Sequence, residues 1–328
     1  MRGFAGCGPE AAAAEKRGGR SEKGCAGKDG RKRKGDCRNR IGPAGSGRER
    51  PKQTRNDEAI IDEKNIFNLI ISTMSKVITL RKGLDINLQG KPCAEAAAAP
   101  QAALYAVSPL DFEGVTPKLL VKAGDKVKAG TPLFFNKNDE RVLFTSPVSG
   151  EVAAINRGEK RKVLSVTVTP DAEHTYEAFA CPDPAAASRD EIVGLLLRSG
   201  LWPMIMQRPY GIIADPSAMP KAIFVSAFDS APLAPDYNFA LRDEMKNLQT
   251  GIRVLGKLTE GKVHLSVRAK AEGSMASLAG AELHTFAGKH PVGNVGVQIH
   301  HIDPVNRGET VWTVNIQDVA IIGRLFNE

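Results

Sequence analysis

Between Val121 and Gly158 the chain alternates short β-rich runs with glycine turns: VKAGDKVKAGTPLFF, a polar hairpin, then VLFTSPVSGEVAAINRG. Gly124-Asp125 and Gly158-Glu159 flank a central turn, Ser146 to Gly150. Glycine supplies positive φ where a tight turn needs it, and Asp or Asn can hydrogen-bond back onto the turn backbone. Runs this short, separated by such turns, leave no room for a helix. They predict a small β-sandwich or barrel.

The spacing resembles the barrel-sandwich fold of biotinyl and lipoyl carrier domains, which present one lysine at a hairpin tip for a covalent cofactor. The matching hairpin here is Phe135-Asn136-Lys137-Asn138-Asp139-Glu140. Lys137 has neither the methionine neighbours of a biotin site nor the Asp-Lys-Ala of a lipoyl site. It reads as an ordinary solvated turn residue, and the fold as borrowed without its chemistry.

With 328 residues the chain is long enough for two domains with proper cores. A formal charge of +8 invites a nucleic-acid reading. Residues 1–55, however, hold 16 Lys and Arg against 6 Asp and Glu, leaving a net of −2 for everything that follows. That basic leader is almost free of aliphatic side chains and predicts disorder. Met74 stands directly before a well-patterned strand, Lys76 to Leu80. Residues 1–73 are therefore read as a disordered basic extension from a mis-assigned start. No nucleic-acid partner is expected of the rest. The five cysteines show no CxxC spacing, which argues against a disulfide framework or a zinc site and for a reducing compartment. No stretch approaches the apolar length of a membrane span.

The β-rich part is expected over 74–170, followed by a linker over 171–187. Ser188-Arg189-Asp190-Glu191 is a capping box opening a helix, Ile192 to Arg198, with Gly200 at its C-terminal stop. From Pro209 strands and helices alternate. Ala222–Ala227 is a short apolar run, as in a buried parallel strand. Asp236–Leu258 reads as one long helix. Val263–Val267, Leu283–Phe286 and Val311–Ile316 are strands, and Gln317–Phe326 a final helix. This alternation predicts an α/β doubly wound domain over 188–328.

One stretch is dense in unusual residues, Gly288 to Pro304. Gly293 and Gly296 let backbone approach a ligand or a helix. Lys289 and His290 ahead of a helix start favour an anion there. The segment is not a GxGxxG fingerprint. His300 and His301 are placed on an extended segment, one facing inward and hydrogen-bonded, and no metal site is expected of them.

Taken together, RKGLDINLQGKP, the GDKVKAG to AAINRGEKR block, SGLWPMIMQRPYG, AIFVSAFDSAPLAPD, FAGKHPVGNVGVQIHHIDPV and VWTVNIQDVAIIGRLF resemble the NqrA family, the A subunits of Na+-translocating NADH:quinone reductases. The resemblance runs from Ser75 to Phe326 in the family's order. It implies an α+β multidomain chain: a biotinyl/lipoyl-like β barrel-sandwich hybrid, then a Rossmann-like α/β domain related to the NADH-binding subunit of respiratory complex I. The family has no counterpart to residues 1–73. Its members continue into a ubiquitin-like SLBB domain and a C-terminal helical region, both expected to be missing here.

The resemblance further implies a peripheral protein on the cytoplasmic face of a bacterial inner membrane. Its partners are the B to F subunits and ubiquinone, and its task lies in the quinone-reduction step coupled to Na+ export. The complex uses NADH, FAD, FMN, riboflavin, Fe–S centres and ubiquinone, while the NqrA chain binds no prosthetic group and has no independent catalytic site. The lack of a CxxC cluster and of a dinucleotide loop agrees. Lys289, His290, Gly293, Gly296, Gln298 and His300 are the candidate quinone or interface loop, orienting a quinone and stabilising negative charge as it is reduced.

Overall fold

The computed structural model describes residues 77–328 apart from 91, 271 and 272. The expectations for residues 1–73 lie outside this range. Seven strands form the β-rich part: β2 (Tyr105–Val107), β3 (Pro117–Leu119), β4 (Lys126–Val127), β5 (Pro132–Asn136), β6 (Asp139–Thr145), β7 (Gly150–Arg157) and β8 (Val163–Pro170). They make two antiparallel sheets, ordered β2-β8-β7-β4 and β3-β5-β6. The turns form as their sequence dictates. Gly124 takes φ +89°, and the Asp125 carboxylate accepts from the Lys122 amide at 2.7 Å. Val152, Val166 and Val168 are fully buried, and Phe134 stacks on Phe144 at 4.7 Å.

The second sheet has seven strands in the order β1-β13-β12-β11-β14-β9-β10. These are β1 (Ile78–Thr79), β9 (Met206–Arg208), β10 (Ile212–Ile213), β11 (Ala222–Ser226), β12 (Lys262–Arg268), β13 (Glu282–Ala287) and β14 (Val311–Asn315). The first five in spatial order are parallel; β9 and β10 add an antiparallel edge. The opening strand thus lies on the edge of this sheet, against β13, and not among the β-rich strands over 74–170 that follow it in sequence. Its two residues pair with Phe286 and Ala287, where Ile78 packs beside buried Phe286.

Helices α1 (Arg189–Arg198), α2 (Tyr237–Ala240), α3 (Met245–Gly256), α4 (Val295–Ile302) and α5 (Ile316–Asn327) connect or flank the strands. The capping box opens α1 as read: Ser188 Oγ accepts from the Glu191 amide, and the Glu191 carboxylate accepts from the Ser188 amide at 2.8 Å. Gly200 follows with φ +74°.

Two expected elements differ. The helix over Asp236–Leu258 is two, α2 and α3, because the chain turns at Leu241–Glu244. That turn frees Glu244 to accept from Asn247 Nδ2 at 2.7 Å and to pair with Arg324 of α5. The segment holding His300 and His301 is helical, because Val295, Ile299 and Ile302 recur at helical spacing and pack against Phe224 and Val311. Both imidazoles are consequently exposed, and neither faces inward, although one is hydrogen-bonded as expected: His301 Nδ1 meets the Val297 carbonyl at 2.8 Å.

One apolar cluster runs from Leu133, Val152 and Val166 through Ile192 and Leu196 of α1 to Ile223, Leu265 and Trp312. Cys93 and Cys181 are exposed and free. Among the described residues no helix is long and apolar enough to cross a membrane.

Candidate functional site

In a parallel sheet the loops at the carboxyl ends of two neighbouring strands part where the strand order reverses, and ligands collect in that crevice. Here the chain proceeds from β11 outward through β12 and β13, then crosses to β14 on the other side of β11. The switch point is the gap between β11 and β14. A cleft of about 480 Å³ lies there. Its floor is Ser226 and Asn315, the last residues of the two strands. One wall is the start of α4, from Gly293 to Val297. The other is Phe228, Asp229 and Tyr237, with Arg208 entering from the end of β9. A second hollow of about 280 Å³ shares Phe228, Asp229 and Tyr237 and continues toward Arg268.

The wall at α4 is held by hydrogen bonds from the β11 side. Ser230 Oγ accepts from the Gly293 amide at 2.8 Å and contacts His290 Nδ1 at 3.0 Å. Asp229 Oδ1 accepts from the Ser230 and Ala231 amides. A β-carbon on Gly293 would strike the Ser230 amide nitrogen and lie 2.9 Å from Asp229 Cα, so only glycine fits this approach. Behind the wall Gln298, fully buried, donates to Ser226 Oγ at 2.9 Å and to the Val292 carbonyl at 3.3 Å; its Oε1 has no partner among the described residues. From the far side the Asp85 carboxylate accepts from the His290 amide at 2.8 Å.

Electrostatically the cleft is mixed. Burial pushes the Asp318 carboxyl up, against the hydrogen bond it accepts from Asn315 Nδ2 at 2.9 Å. Burial also raises the Tyr237 phenol, and the charges of Asp229 and Asp318 add to it. The phenol is therefore a donor at neutral pH. Arg208 supplies the cation, and its Nε is buried without a partner among the described residues. The Val295 and Gly296 amides, the first of α4, have no acceptor among the described residues and carry the positive end of the helix dipole, whereas the Val297 amide donates to the Asn294 carbonyl. The arrangement offers hydrogen-bond donors and a cation to an oxygen-bearing ligand.

A dinucleotide fits poorly. The turn after β11 runs Ala-Phe-Asp-Ser-Ala-Pro with no glycine, and Asp229 and the N-cap Asp236 put carboxylates where a pyrophosphate would lie.

Of the residues singled out in the sequence, Gly293 and Gly296 line the cleft, while His290 and Gln298 position its wall. Lys289 is exposed on the loop, and His300 is exposed on α4; neither lines the cleft. Arg208, Asp229, Tyr237 and Asn315 were not singled out. Of these Asn315, like Ser226, is within reach of the sequence, because each lies next to last in a strand recognised there, at the end where ligands bind.

Known proteins decide the lineage of this arrangement. Residues 78–171 match the family model described as NqrA N-terminal barrel-sandwich hybrid domain, and 187–328 that described as NqrA second alpha/beta domain. The chain belongs to the NqrA family. Among curated relatives it is 39% identical over 252 residues to the A subunit of the Na(+)-translocating NADH-quinone reductase of Neisseria meningitidis serogroup B, covering 76% of this chain and 56% of that one. The protein of the same name from Cellvibrio japonicus is 38% identical over the same shares, and that from Marinomonas sp. 39% identical over 250 residues, 75% of this chain and 56% of the relative. The chain thus spans about half the length of the curated NqrA proteins it matches. The cleft falls inside the NqrA second domain.

Proposed function

We propose that this chain provides the first two domains of the peripheral NqrA protein in a Na+-translocating NADH:quinone reductase. There it contributes to the quinone-reduction step coupled to Na+ export, docked on the B to F subunits on the cytoplasmic face of a bacterial inner membrane. The observation that carries this is the succession of both NqrA domains in one chain, at 38–40% identity to proteins named for that complex. The chain binds no prosthetic group of its own; NADH, FAD, FMN, riboflavin and Fe–S centres belong to its partners.

The switch-point cleft is the quinone-facing element. The Tyr237 phenol and the first amides of α4 donate to a quinone oxygen, Arg208 stabilises negative charge as the ring is reduced, and Phe228 packs on its face. His290 and Gln298 keep the wall in place. The α/β domain is a relative of the complex I NADH-binding subunit that has exchanged the glycines of its phosphate turn for Asp229 and its neighbours.

The barrel-sandwich domain is a relative of the biotinyl and lipoyl carriers. Lys137 and Asn138 form the two-residue turn between β5 and β6. Asn136 Oδ1 accepts from the Thr116 and Asn138 amides, and Asn138 Nδ2 donates to the Gly114 carbonyl. A turn laced on both sides of its lysine is a docked corner, not a swinging arm.

The test is a photoreactive quinone applied to the complex purified through a tag on this chain. Recovery of the membrane partners together with label on the Gly293–Val297 stretch or on Tyr237 supports both parts. Label confined to other subunits removes the cleft assignment and leaves membership of the complex; failure to recover the membrane partners removes the latter.

A further inference from the structure

A second side-chain cluster lies at the opposite end of the same sheet. In the parallel pair β12 and β13, His264 stands across from Glu282 and Ser266 across from His284. Side chains two apart on a strand share a face, so Glu282 and His284 point the same way, and the register sets His264 beside them. Phe224 stacks on His264 at 4.7 Å and fixes its ring plane.

His264 Nδ1 and His284 Nε2 are 2.9 Å apart, and Glu282 Oε1 is 3.9 Å from His284 Nε2. One donor atom from each of the three lies within 4.8 Å of the other two. His264 is 5% and His284 8% exposed, whereas the Glu282 side chain is 44% exposed, so the cluster opens to water on one side only.

We propose that His264, Glu282 and His284 form a divalent metal site suited to Zn2+. Two imidazoles and one carboxylate are a zinc ligand set, with the fourth position left to water. Ca2+ and Mg2+ prefer all-oxygen shells and are disfavoured. Tetrahedral bonds of about 2.1 Å set neighbouring ligand atoms roughly 3.4 Å apart. A small rotation of the His284 ring, which among the described residues carries no stack like that of Phe224 on His264, opens the imidazole pair to that distance.

In the metal-free protein one facing nitrogen must carry a proton toward the other. In the loaded protein both are bare, the protons sitting on His264 Nε2 and His284 Nδ1, so neutral rings bind the ion by changing tautomer without releasing a proton. Lys262 does not block the site: its Nζ pairs with Glu282 Oε2 at 2.7 Å and leaves Oε1 directed at His284. It orients the ligand, as outer-shell partners do.

The site lies at the amino ends of β12 and β13, whereas the cleft lies at the carboxyl ends of β11 and β14. Its role is a clip joining two adjacent strands, independent of quinone.

The test is calorimetric titration of the full chain with Zn2+ alone, after alkylation of its five cysteines so that thiols do not compete. One saturating equivalent of micromolar or tighter affinity is expected, with a tetrahedral d–d spectrum when Co2+ is substituted. Glu282→Gln, at a half-exposed position, keeps the fold and weakens binding at least about tenfold. His284→Gln abolishes it. A His300→Ala/His301→Ala double variant retains it, which excludes the exposed pair on α4. Absence of saturable Zn2+ binding, or wild-type affinity in Glu282→Gln, overturns the site even if His284→Gln fails to fold.

Discussion

Gly251 of α3 and Gly323 of α5 face each other where the two helices cross: a β-carbon on Gly323 would lie 2.8 Å from the Gly251 nitrogen and strike the Asn247 carbonyl. A β-carbon on Gly251 would in turn strike Val319 of α5. Alanine in place of glycine favours an isolated helix by about 1 kcal/mol. Here the helices must separate to admit it, and overpacking of this kind costs roughly 1–3 kcal/mol or more. Separation also strains the hydrogen bond from Asn327 Nδ2 to Asn247 Oδ1 at 2.6 Å. Gly323→Ala is therefore expected to lower the urea midpoint by an amount equivalent to about 2 kcal/mol. An unchanged or raised midpoint would show that the contact is loose.

Ser230 couples the two sides of the cleft, and its removal should be felt there more than in global stability. Ser230→Ala leaves the Gly293 amide and His290 Nδ1 without their partner. The loss is on the order of 1–2 kcal/mol, confined to the loop. Hydrogen exchange should quicken over residues 288–296 with β11 unaffected, and quinone-probe labelling of the cleft should fall. Equal exchange in variant and wild type would mean that Asp85, which accepts from the His290 amide, holds the loop unaided.

Where sequence and structure agree, one local signal decided the element. Ser188 and Glu191 cap α1 through contacts three residues apart, and Gly124-Asp125 builds its own turn. Val311–Val314 is buried on both faces, as a central parallel strand must be. The disagreements each depended on a distant partner. The break before α3 answers to Arg324, 80 residues away. The strand Ile78–Thr79 is only two residues long, and its sheet is set by Phe286 and Ala287. The cleft was half legible. Gly293 and Gly296 stood out by composition, but Arg208, Asp229 and Tyr237 carry no local pattern, and only the crossover from β13 to β14 gathers them. The neighbours His300 and His301 stand out through adjacency, while the pair whose ring nitrogens meet, His264 and His284, is 20 residues apart.

That buried pair gives the fold an acid-sensitive point. Burial, with the neighbouring His284 adding to it, lowers His264 from 6.5 to about 4, while Glu282 and Asp303 oppose and Lys262 assists. His284 is lowered too, chiefly by burial. Between the two values the unfolded chain takes up a proton that the folded chain refuses, so stability is full above about pH 6.5 and falls as pH drops toward 4. The gap corresponds to on the order of 3 kcal/mol. Urea unfolding in the presence of a chelator, repeated from about pH 7 down to about pH 4, should show this slope, and His264→Gln should flatten it. A slope retained in the variant would assign the acid sensitivity to His284 or to carboxylates rather than to His264.

Asp318 behaves in the opposite sense. It sits in the first turn of α5, where the helix dipole favours a carboxylate by roughly 0.3–1 kcal/mol. Burial raises it all the same, beyond what the hydrogen bonds from Asn315 restore. A folded-state value above the unfolded one contributes stability that is fully present below the unfolded value, near 3.8, and lost as pH rises through the folded one. The ionised group is thus a liability at neutral pH. Asn keeps an oxygen for Asn315 Nδ2 and removes the charge. Asp318→Asn should be more stable than wild type at about pH 7 and indistinguishable from it near about pH 3, as read by urea midpoints. It should also lower the Tyr237 phenol, because the Asp318 charge is one of the groups holding it up. Ultraviolet titration of the tyrosines checks this second effect. A variant less stable than wild type at neutral pH would mean that the dipole outweighs desolvation and that Asp318 stands as an anion near Tyr237.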